Sequence, residues 1–192
     1  MHCSFCVRLT SALRPGETLK PGKLPAGAVA RIGTNAAAHG EPCLVVSGNL
    51  TASDAVRALK AAEKRLPDGV RIADQCFTAA ADPDDEDPET GFGIVRSHGS
   101  WHIYSLSDLA LASGAASMVF GCAARESDSG FYLVSLSELC DAYGSRVKKL
   151  TRLITFILSI REGVAEAELT RDSIGTAFLV TLYTDYTENG GV

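Results

Sequence analysis

Two short segments that share one grammar constrain this chain most. Ser105-Leu106-Ser107-Asp108-Leu109 leads on to Ala112 and Gly114, and Ser135-Leu136-Ser137-Glu138-Leu139 leads on to Ala142 and Gly144. Each opens with a serine followed three positions later by an acid, the capping box that satisfies the unpaired first amides of a helix. Each closes on a glycine, the residue that takes up the left-handed conformation past a helix end without steric cost. Each also follows a Phe-Gly pair, Phe92-Gly93 and Phe120-Gly121. The pattern predicts two ββα units, a β-hairpin feeding a capped helix, arising either by duplication or from two helices with the same start and stop chemistry.

The rest of the chain extends that expectation. Thr51-Ala52-Ser53-Asp54 is a third capping box, and Val56, Leu59 and Leu66 follow at helical spacing, so a helix is expected from about 52 to 65, ended by Pro67 and Gly69. Residues 28–32, 43–47 and 70–77 read as strands. Residues 91–95 and 101–105 form the first expected hairpin, and residues 118–123 and 131–135 the second, across the polar stretch 125–130. A long helix is predicted over 145–162 from the stripe Val147, Leu150, Leu153, Ile154, Ile157 and Leu158. A β-branched final strand spans 174–183. The fold class expected is α+β, a mainly antiparallel sheet with helices covering one face. Residues 1–27, broken by Pro15-Gly16, Pro21-Gly22 and Pro25, read as an irregular segment, and 28–192 as a single α+β domain. Within it, the six acids between 82 and 89 form a solvated loop.

Charge and hydropathy exclude several functions. A net charge of −5 argues against nucleic acid as a partner, which requires a broad cationic footprint. No run of about eighteen apolar residues exists, so no membrane span is expected. The N-terminus lacks a charged start followed by an apolar stretch, so no secretory signal is expected either. With no export signal, the six cysteines read as reduced thiols, and the compartment as cytoplasmic or nuclear.

Candidate chemistry is sparse. Cys3 and Cys6 have half the spacing of a zinc site, but no second pair supplies the other ligands, so no metal and no cofactor are expected. Arg96, His98, Trp101 and His102 share the first hairpin. A cysteine-type hydrolase would use His98 or His102 as base and Cys122 or Cys43 as nucleophile, because an imidazole must orient and deprotonate the thiol. Alternation instead puts Trp101 and Ile103 on one strand face and His102 and Tyr104 on the other. Arg146, Lys148, Lys149 and Arg152 form a basic strip where the long helix begins; cations there oppose the helix dipole and suit an anionic partner. No nucleophile elbow, Walker loop or H-E-x-x-H motif is present. The function expected is that of a non-enzymatic regulatory or interaction protein, binding a protein partner through a sheet edge or the helix 145–162, with a homodimer compatible. The alternatives are the Cys-His hydrolase and a small-ligand sensor.

Overall fold

Cys3, Phe5 and Val7 point inward while His2, Ser4 and Arg8 point out, the period of two that defines a half-buried strand. This is β1 (His2–Arg8) of a computed structural model that describes residues 2–10, 17–35, 41–80, 91–126, 131–171 and 176–182. It corrects the expectation of an irregular segment over 1–27 at residues 2–8, while 17–24 form neither strand nor helix and 11–16 lie outside the described residues. The alternation is there in the sequence once cysteine is counted as a small hydrophobe.

The described residues form an α+β structure of three small antiparallel sheets and four α-helices. The first sheet orders β1, β3 (Glu41–Asn49) and β2 (Val29–Asn35), with β3 central. Leu44 and Val46 of β3 join Phe5 and Val7 on its inner face, against Ala55, Ala58, Leu59 and Ala62 of α1 (Ala52–Glu63). Alanines at that spacing give α1 a smooth stripe that lies close to a sheet. Thr51 caps the start of α1 as expected. Thr51 Oγ1 accepts from the Asp54 amide at 3.2 Å and donates to its carboxylate at 2.7 Å. The Arg57 guanidinium, and then the Thr51 hydroxyl, hold the Asp54 carboxyl below the usual carboxylate range.

The second sheet orders β4 (Cys76–Ala80), β5 (Phe92–Ser97) and β6 (Ser100–Ser105). The expected hairpin of 91–95 with 101–105 is present in register, Ile94 opposite Ile103 and Arg96 opposite Trp101. The strand expected over 70–77 lies later, because Val70, Ile72 and Ala73 plug the core and Gln75 turns the chain at φ +55° before pairing begins. Phe5 meets Phe92 with ring centroids 5.6 Å apart, joining the two sheets into one core. Arg96 ties α1 to β5 through Glu63 at 2.5 Å and lies 5.3 Å over the Trp101 ring.

The second hairpin is absent. Residues 118–123 lie inside α2 (Leu106–Glu126), so the second ββα unit does not exist as predicted. Helical burial prevails there over strand propensity: Ala112, Ala115, Ala116, Val119 and Ala123 fall at i, i+3, i+4, i+7 and i+11 and are all buried. Gly114 is therefore no C-cap but a point of close approach. A Cβ there would stand 3.0 Å from the Tyr143 ring, and the Tyr143 hydroxyl donates to the Gly114 carbonyl at 2.9 Å. By length and composition alone, Leu106–Arg125 is apolar enough to cross a bilayer.

The third sheet orders β7 (Phe131–Ser135), β9 (Thr176–Leu182) and β8 (Val164–Arg171), followed in sequence only by residues outside the described set. Between β7 and β8 lie α3 (Leu136–Tyr143), a 3-10 turn Ser145–Lys149 and α4 (Thr151–Ser159). The chain divides into two compact units, Met1–Ser107 and Asp108–Val192. The division falls in the first turn of α2 rather than at the acidic stretch 82–89, which lies outside the described residues, as do 127–130 of the expected hairpin loop.

Candidate functional site

The basic strip of the second unit is built by three local decisions. Ser135 caps α3: its Oγ accepts from the Ser137 amide at 3.1 Å, and Glu138 accepts the Ser135 amide at 3.3 Å. Gly144, at φ +82°, ends α3 with its amide on the Cys140 carbonyl at 2.8 Å. The chain then tightens into the 3-10 turn, pinned by buried Val147 and Leu150, before α4 starts. The single helix expected over 145–162 is thus two elements, separated at Leu150, whose φ of −106° and ψ of 8° fit neither. Val147 and Leu150, three residues apart, match the period of the 3-10 turn. Leu153, Ile154 and Leu158 match that of the α-helix.

The same period of three aligns Arg146 with Lys149. Together with Asp108, Ser145 and Leu150 they line a cleft of about 440 Å³. Arg146 Nη2 lies 2.7 Å from Asp108 Oδ1, with the arginine side chain 60% exposed and the aspartate 20%. Lys148, Lys149 and Arg152 are exposed, and among the described residues none is in an ion pair with an acid. No side chain caps the start of α4, whose N-cap residue Leu150 lines the cleft. Uncapped amides and converging cations both favour an anionic group.

The catalytic candidates are placed differently. His98 is the first of two residues, His98 (φ +49°) and Gly99 (φ +73°), that turn the β5–β6 hairpin. Two positive φ values in succession define a turn that matches the strand twist. The ring Nδ1 of His98 hydrogen-bonds the Ser97 hydroxyl at 2.9 Å, and Asp74 accepts the Gly99 amide at 3.0 Å. His102 lies opposite Val95, on the strand face away from Trp101, which packs against the core. That is the alternation expected from sequence. Cys122 lies on α2 in the other unit, and among the described residues no cysteine hydrogen-bonds either imidazole.

Cys3 and Cys6, three apart on a strand, are sent to opposite faces. Cys3 is buried in the core, its Sγ 3.5 Å from the Gly48 carbonyl, and burial pushes its pKa up. The half-site read from their spacing is therefore not assembled. Register instead makes Cys6 a diagonal neighbour of Cys43 on β3, a thiol that burial above all, and then Cys6, pushes up to about 12. The spacing of Cys6 and Cys43 carried no signal of this pairing, which depends on strand register. Comparison with protein-family models, with curated proteins and with solved structures finds no match for the chain.

Proposed function

We propose that this chain is a non-enzymatic interaction protein that binds an acidic segment of a protein partner at the corner formed by Arg146, Lys148, Lys149 and Arg152. The observation that carries this reading is the alignment of Arg146 and Lys149 along one cleft, next to the uncapped N-terminus of α4. A carboxylate entering there meets a guanidinium already oriented by Asp108, and an ammonium that forms no ion pair among the described residues. An oriented guanidinium loses less side-chain entropy on binding than a free one. Cations at the start of a helix work against its dipole, and an incoming anion turns both into attractions.

The test is fluorescence anisotropy of a labelled poly-glutamate peptide with the parent protein and with the double variant Lys148→Glu/Lys149→Glu. Both lysines are exposed, so the variant keeps the fold. Each exposed ion pair contributes roughly 0.2–1 kcal/mol, and reversal turns attraction into repulsion. The peptide should therefore bind about tenfold more weakly, since about 1.4 kcal/mol is tenfold. Equal anisotropy curves for the two proteins would remove this corner as the binding surface.

A further inference from the structure

The outer face of the first sheet carries a second, independent site. Register places Cys6 opposite Val45 and Arg8 opposite Cys43, so the two cysteines are diagonal neighbours on adjacent strands. On β2, Arg31 stands opposite Val45 and Gly33 opposite Cys43, which brings a guanidinium into the same rows. Gly33 leaves the space this needs: a Cβ there would come within 3.1 Å of Arg31 Nη1 and 3.9 Å of Cys43 Sγ. Cys43 is only 1% exposed, while Cys6 is half-buried, so the pair is dry on one side and open on the other.

We propose that Cys6 and Cys43 form a two-thiolate site for a soft monovalent cation, copper(I). Tetrahedral zinc needs four ligands, and among the described residues no three metal-binding side chains converge. Two sulfurs suffice for a two-coordinate ion, and thiolates select copper(I) over harder metals. On binding, one copper(I) enters and the two thiols release two protons, leaving a dithiolate complex of net charge −1. Arg31, whose charge already acts on Cys43, offsets that charge, and Arg8 flanks the same row. Half-buried Cys6 is the point of entry.

The test titrates the reduced, oxygen-free protein with the copper(I)–bicinchoninate complex and reads copper stoichiometry by native mass spectrometry. The expected result is one copper(I) per chain with the loss of two protons, abolished in Cys6→Ser and in Cys43→Ser and retained in Cys122→Ser/Cys140→Ser. Cys6→Ser changes the half-buried member, so its melting temperature checks that the fold survives if Cys43→Ser does not fold. Because two protons leave, affinity should fall about 100-fold for each pH unit lowered, against about tenfold for attachment to a single thiol. No copper retained by the parent, copper retained equally by a folded Cys6→Ser, or a tenfold slope would each overturn the assignment.

Discussion

Single side chains decide where α1 and α3 begin, and those decisions were written in the sequence. The Ser135–Glu138 capping box forms in both directions, so removing the serine hydroxyl strands an amide at the start of α3. Ser135→Ala should lower stability by about 1 kcal/mol in a denaturant melt, and an unchanged midpoint would place the helix start elsewhere. The cysteines were far less legible. Their ordinary appearance hid that Cys3 and Cys6 face opposite ways on β1, and that Cys6 comes diagonal to a cysteine 37 positions away on β3. A sequence states spacing along the chain, whereas contact across strands depends on register, which turns and core packing set.

At the scale of elements, capped helices and paired β-branched strands were foreseeable, and the continuation of α2 past Gly114 was not. Its Val119-Phe120-Gly121 run has strand propensity, and Gly114 sits where a cap would be. What prevails is the stripe of buried alanines together with the approach of Tyr143 to the Gly114 backbone. A branched side chain at Gly114 would drive into the Tyr143 ring. Gly114→Val should therefore destabilise the second unit by about 1–3 kcal/mol, the usual cost of overpacking, despite the gain in helix propensity; a variant with unchanged or raised melting temperature would contradict the packing described. β8 escaped notice for a related reason. Its Ala and Glu residues favour helices, and only pairing with β9, with a register shift between Val164 and Glu166, holds them extended.

Taken as a whole molecule, the chain is acidic, with a net charge of −5, yet it gathers four cations within 146–152 and no acid among them. An acidic partner is not steered in from a distance by such a protein, since exposed charges are screened beyond a Debye length of roughly 10 Å at 0.1 M salt. Recognition must come from short-range contact at the corner itself, and should weaken as salt rises. The two units each carry their own part of the account, the thiol pair on the first and the cationic corner on the second. The most direct test of the central claim is an amide NMR titration of the whole chain with a poly-glutamate peptide. Shift changes concentrated at residues 144–152 and at Asp108, and reversed by added salt, are the predicted result. Changes confined to the strand edges, with that corner silent, would contradict it.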